Sequence, residues 1–123
     1  MSSHRDLIAW QRAMALATDV YRAAECFPRR ETYALTLQVC SAAVSVASNI
    51  AEGKGRLSKK EYLQFLSRAR GSLLEVETQL EIAHNVGFLD NSTFEGLFES
   101  AASTGRVLNG LISAVRRQLD QME

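Results

Sequence analysis

Apolar residues recur along this chain at alternating spacings of three and four, in four successive blocks separated by short breaks. A period near 3.5 residues over blocks this long is the signature of amphipathic helices packed side by side. The first block runs from about Arg5 to Phe27, and Leu7, Trp10, Met14, Ala17, Tyr21 and Ala24 fall on one stripe. Pro28, the only proline, has no amide donor and disfavours helical geometry at the residue before it, so the helix stops there. The second block, about Glu31 to Glu52, continues the spacing through Leu35, Val39, Ala42, Val46, Asn49 and Gly53. Gly53 and Gly55 form the next break, with Gly53 expected in the left-handed conformation that ends a helix. The third block opens on Ser58-Lys59-Lys60-Glu61, a capping box in which the serine oxygen takes an orphan amide and the glutamate reaches back. Tyr62, Leu66, Ala69, Leu73, Val76, Leu80 and Ala83 then lead to Gly87. The fourth opens on Ser92-Thr93-Phe94-Glu95, a second capping box, and continues through Phe98, Ala101, Gly105, Leu108, Ile112, Val115 and Leu119.

The connections around Pro28, from Gly53 to Leu57 and from Gly87 to Asn91 are short, which makes consecutive helices antiparallel. The expected fold is all-α: an up-down-up-down four-helix bundle with helices at about 5–27, 31–52, 58–87 and 92–119, forming a single domain over 1–123. A chain of 123 residues is long enough to bury about two-thirds of the surface its unfolded form exposes.

Some apolar residues fall off the stripes. Ala9, Ala13, Leu16, Val20 and Phe27 make a second row in the first block, and Leu37, Val44 and Ala47 do so in the second. Either the core face is wider than one stripe, or this row is a subunit interface. The alanine richness of the first two helices favours close approach of a second copy, and so a homo-oligomer.

Net charge is zero, which excludes a uniformly basic nucleic-acid binder, but the charge is polarised. From Lys54 to Arg70 there are six basic residues and one acid; from Gly71 to Ser100 there are six acids and no Lys or Arg. Antiparallel topology gathers Lys54, Arg56, Lys59, Lys60, Arg116 and Arg117 at one end of the bundle. These six residues are the candidate phosphate contacts of a nucleic-acid interface. The competing reading is a solvated loop with helix-terminal charge. No aromatic interleaves the patch Lys54, Arg56, Lys59 and Lys60, so no base-stacking platform is expected.

A second constellation is polar. Gln38, Ser45, Asn49 and Glu52 share one side of the second helix, and Ser72, Glu75 and Gln79 share one side of the third. Facing each other, the two rows would form a hydrogen-bonded seam that fixes register, or a binding cleft.

Other chemistry lacks its residues. Glu81-Ile82-Ala83-His84 has the Glu-x-x-His spacing of di-iron bundles, but the only other histidine is His4. Cys26 and Cys40 are too far apart along adjacent helices for a disulfide and have no zinc-ligand spacing. Gly53-Lys54-Gly55 lacks the spacing of a phosphate loop. No metal site, cofactor or catalytic residue is expected. Without a spanning apolar run, a signal-peptide core or a disulfide framework, the expected location is the cytoplasm.

Tyr33-Ala-Leu-Thr-Leu-Gln38, Ala42-Ala-Val-Ser45 and Asn49-Ile-Ala-Glu-Gly53 resemble the four-helix-bundle family of 23S rRNA intervening-sequence proteins. The likeness extends upstream through Trp10-Gln11, Tyr21, Pro28 and Glu31, and downstream through Phe65-Leu66, Ala69-Arg70-Gly71-Ser72-Leu73, Glu75 and Gln79-Leu80. It departs at Ser41, where the family usually carries an arginine. The resemblance implies an all-α bundle assembled as a homopentamer, and it implies no established activity. A distant relative, the accessory variability determinant of diversity-generating retroelements, is a similar pentamer that binds nucleic acid and a reverse transcriptase. By that analogy the expected protein is a non-enzymatic oligomer. Its partners would be its own copies and RNA or a nucleic-acid-processing protein; the alternative is a protein-interaction scaffold with no nucleic-acid role.

Overall fold

The computed structural model describes residues 2–122, and among them are four α-helices and no strand. Helix α1 spans Ile8–Ala24, α2 Leu35–Lys54, α3 Lys59–Asn85 and α4 Asn91–Met122. Each helix packs on its two sequence neighbours and α4 closes back on α1, with no diagonal packing among the described residues. This is the expected up-down-up-down bundle.

Local hydrogen bonds explain where each helix begins. Before α1, a single 3-10 turn over His4–Asp6 is held by Ser3, whose hydroxyl accepts from the Arg5 amide at 3.2 Å. The Asp6 carboxylate accepts in return from the Ser3 amide at 3.1 Å. A second 3-10 turn over Arg29–Glu31 follows Pro28, so α2 starts at Leu35, four residues later than the periodicity predicts. The Glu31 carboxylate accepts from the Leu35 amide at 3.3 Å and marks that start. At α3 the Ser58 hydroxyl accepts from the Glu61 amide at 3.0 Å, the serine half of the expected capping box, while the Glu61 carboxylate accepts from the Ser58 hydroxyl at 3.4 Å rather than from its amide.

Other termini also differ from the reading of the sequence: α1 covers Ile8–Ala24 rather than about Arg5 to Phe27, ending before the turn that leads to Pro28. The cap of α4 is Asp90, whose carboxylate accepts from the Thr93 amide at 2.7 Å; Ser92 is already inside the helix. Gly53 does not end α2 in a left-handed conformation, because it is a buried interior residue of a helix that continues to Lys54. Its value lies in having no side chain: a Cβ there would meet Phe65 Cβ at 2.8 Å. The left-handed glycine is Gly87, at φ 86°, which turns the chain after α3 while the Phe88 amide returns to the Ala83 carbonyl at 2.8 Å. Beside that turn the His84 ring stacks on Phe94 at 4.3 Å and shares a 2.7 Å hydrogen bond with Asn91 Oδ1.

The expected stripes of α3 and α4 supply core residues, among them Leu66, Leu73, Val76, Leu80, Leu108, Ile112 and Val115. On α1 the core face is wider than one stripe: the second row is not a free interface but is buried together with Ala17 and Ala24 of the first. Ala9, Ala13, Leu16 and Val20 are buried, whereas Met14 is 42% and Tyr21 52% exposed. Small residues fill that face: Ala9, Ala13, Ala17 and Ala24 on α1 share one core cluster with Ala42, Ala43 and Ala47 on α2. On α2 the stripe Val39, Ala42 and Val46 is buried, together with Ala47, while Leu37 and Val44 face outward.

Candidate functional site

Helices α1 and α3 start, and α2 and α4 finish, at the same end of the bundle, and this brings the candidate cations together. Arg116 lies 25 residues along α4, about 38 Å from its start, level with the first turn of α3.

Within this group the structure separates bound from free charge. Arg56 is held by its own chain: its guanidinium lies 2.9 Å from the Glu52 carboxylate and 3.9 Å from that of Glu61. It also covers the Phe65 ring at 4.5 Å, which Arg68 approaches at 4.7 Å. Lys54 Nζ stands 6.0 Å from the ring of Tyr62, whose phenol is pushed above its usual range by burial. Lys54, Lys59, Lys60, Arg116 and Arg117 form no ion pair among the described residues. No aromatic lies among Lys54, Arg56, Lys59 and Lys60 in the sequence, but the fold brings two rings against that stretch. Tyr62 and Phe65 lie beneath it, one turn into α3, where a helix brings residues three and four apart in sequence onto one face. Both rings are buried and roofed by cations, so they offer no open stacking surface. Leu57, at the tip of the loop, is fully exposed between these cations.

The polar rows of α2 and α3 face one another. Gln38, Ser41 and Ser45 from α2, with Ser72, Glu75 and Gln79 from α3, line an open cleft of about 350 Å³. Asn49 Nδ2 donates to the Ser45 carbonyl at 2.8 Å and to the Ser45 hydroxyl at 2.9 Å. That hydroxyl shares a 2.9 Å hydrogen bond with Ser72, joining the two helices. Glu52 does not belong with this group, because it turns to the basic loop and pairs with Arg56. Ser41 also lines the cleft; it falls on the same three-four spacing, between Gln38 and Ser45, and belonged in the α2 row.

A larger groove, about 540 Å³, runs along the contact of α1 and α2. Met14, Ala17, Tyr21, Val44 and Ala47 make its apolar walls, with Arg22 and Glu25 at its edge. Sequence periodicity distributes these residues over different rows of two helices; only their packing makes them one surface.

Among the described residues no three histidine, cysteine or acidic side chains cluster as metal ligands. No described helix is long and apolar enough to cross a membrane.

A family model described as 23S rRNA-intervening sequence protein matches residues 5–110 of the chain. Among solved structures, the chain is similar to a protein of unknown function from the S23 ribosomal protein family of Bacteroides thetaiotaomicron. The two are 15% identical with a TM-score of 0.80, over 85% of this chain and 98% of that one. At that identity the likeness concerns the fold alone. No curated protein matches the chain.

Proposed function

The chain belongs to the 23S rRNA-intervening sequence protein family, and from that premise we propose that it is a cytoplasmic, non-enzymatic homo-oligomer, most simply a pentamer, that binds RNA or a ribonucleoprotein through its basic end. The observation that carries this reading is the gathering of Lys54, Lys59, Lys60, Arg116 and Arg117 at one end without ion-pair partners among the described residues. Cations left unpaired at one pole are available to displace counterions from a phosphate backbone. A ring of copies with parallel axes would repeat the patch and raise its potential above that of one chain. Phosphate contacts without open aromatic rings favour structured RNA, read by shape and backbone, over unstacked bases.

The test is binding to a structured RNA at two salt concentrations. Wild-type affinity should fall steeply with salt, and Lys60→Gln should lower the logarithmic slope by about 0.7–0.9, the amount that follows from neutralising one phosphate fewer. Reversal of Lys59, Lys60, Arg116 and Arg117 to glutamate should abolish binding. Arg56→Gln should leave the slope nearly unchanged, because that guanidinium is already engaged by Glu52 and Glu61. Wild-type binding that ignores salt, or a reversal variant that binds as well as wild type, refutes the proposal.

A second reading, a protein-interaction scaffold, draws on the apolar α1–α2 groove. It is favoured over the first if a protein partner is retained after nuclease treatment while RNA binding is absent.

A further inference from the structure

The cleft between α2 and α3 lies outside the basic end and has a chemistry of its own. Its polar lining includes one carboxylate, Glu75, and no basic side chain. Gln79 lies one helical turn further along the same face of α3, and its Oε1 is buried with no hydrogen-bond partner among the described residues. Buried carbonyl oxygens nearly always have a donor, and leaving one without costs on the scale of a broken hydrogen bond. The serine hydroxyls do not supply it: Ser45 and Ser72 share a hydrogen bond, Ser45 also accepts from Asn49, and neither reaches Gln79 Oε1. On the α2 wall the half-exposed Leu37 borders the cleft at one edge and offers an apolar surface there. The cleft thus presents a negative charge, an unanswered acceptor and a surface for a hydrocarbon stem, in a volume of about 350 Å³.

We infer that this cleft binds an alkylguanidinium group, whether a free small cation or the side chain of an arginine. The head group sits against the Glu75 carboxylate and, with the Gln79 amide turned toward the cleft, donates an N–H to Gln79 Oε1, while the stem lies against Leu37. A guanidinium suits the site better than an ammonium ion. Its donors fan out in one plane and reach two acceptors at once, and it is more weakly hydrated, so it enters a half-buried cleft at lower cost.

The experiment is calorimetric titration of the intact protein with n-propylguanidinium, with butylammonium, and with N-acetylarginine methylamide. Saturable binding of propylguanidinium is expected, with butylammonium weaker. Glu75→Gln and Gln79→Leu should each weaken it by about tenfold, the scale of one charged hydrogen bond. Unfolding curves of both variants show whether they are folded; the control Glu81→Gln, an exposed acid on the same helix, should bind as wild type. Binding of the arginine amide assigns the side chain of a partner as the source, and its failure beside propylguanidinium binding assigns a free cation. No saturable binding of propylguanidinium, or equal weakening by Glu81→Gln, overturns the inference and leaves a water-filled cleft. None of these substitutions touches the basic end, so RNA binding and cleft binding fail independently.

Discussion

Gly53 of α2 stands so close to Phe65 of α3 that a methyl group on the glycine would meet the phenylalanine Cβ at 2.8 Å and the Tyr62 ring at 3.0 Å. This contact sets how near the end of α2 comes to the start of α3, and so where Lys54 and the loop that follows it are held. The obstacle is a Cβ anchored to the backbone, so relief requires the helices to move apart.

Gly53→Ala is expected to destabilise the protein. Overpacking costs about 1–3 kcal/mol, and the helix-propensity gain from alanine returns about 0.8–1.0 kcal/mol. Gly71→Ala is the contrast, because a Cβ there meets nothing within 4 Å inside α3. That substitution should stabilise by about 0.5–1 kcal/mol. Urea unfolding of the two variants measures both signs, and equal shifts would remove the close-approach account.

The α4 cap predicts a pH dependence. The backbone hydrogen bond from Thr93, then that from its side chain, holds the Asp90 carboxyl below its ordinary range. A carboxylate depressed in the folded state contributes stability that is fully present above the unfolded value of about 3.9 and is lost as pH falls through the lower folded value. Asparagine caps comparably without titrating. The melting-temperature difference between wild type and Asp90→Asn should therefore be constant near neutrality and change only in that acidic window. A constant difference down to pH 2 would contradict the assignment.

The two cysteines should react differently. Cys40 is buried and its thiol is pushed up by desolvation, whereas Cys26 is exposed. Thiolate is the reactive species, so a disulfide reagent should modify one thiol per chain rapidly in the native protein and both in urea. Fast modification of both thiols before unfolding would place Cys40 outside the core.

The apolar α1–α2 groove predicts an effect on assembly. Val44 is 43% exposed on its wall and Tyr21 is 52% exposed beside it. If copies meet here, Val44→Lys should reduce the native mass measured by light scattering while the circular dichroism spectrum of the helices is retained. An unchanged oligomer would exclude this face as the contact between copies.

Some of the fold is legible in the chain and some is not. Pro28 and Gly87 act through their own backbone and Ser58 through a hydroxyl that meets an amide three residues on, and each stands where the sequence predicts a break. The boundaries that moved depend on alternatives that local pattern does not rank. Asp90 and Ser92 are both acceptable caps, and the one whose carboxylate meets the Thr93 amide is chosen by the path of the loop. The two rows of α1 are both apolar, and the helices packed against α1 select among them, burying Leu16 and Val20 and leaving Met14 and Tyr21 exposed.

The same division runs through the candidate sites. Polarised charge can be read in one dimension because helix topology carries it to one end. That Arg56 is spent on Glu52 and Glu61 while Lys60 is not depends on side-chain reach across a loop. The sequence by itself determined four helices, their antiparallel order and the basic pole, since periodicity and chain breaks act over a few neighbouring residues. Only the tertiary structure decided which face of α1 is buried, why Gly53 is a glycine, and that Gln79 opens onto a cleft without a donor. Those outcomes depend on distances between residues of different helices, and spacing along a chain does not contain them.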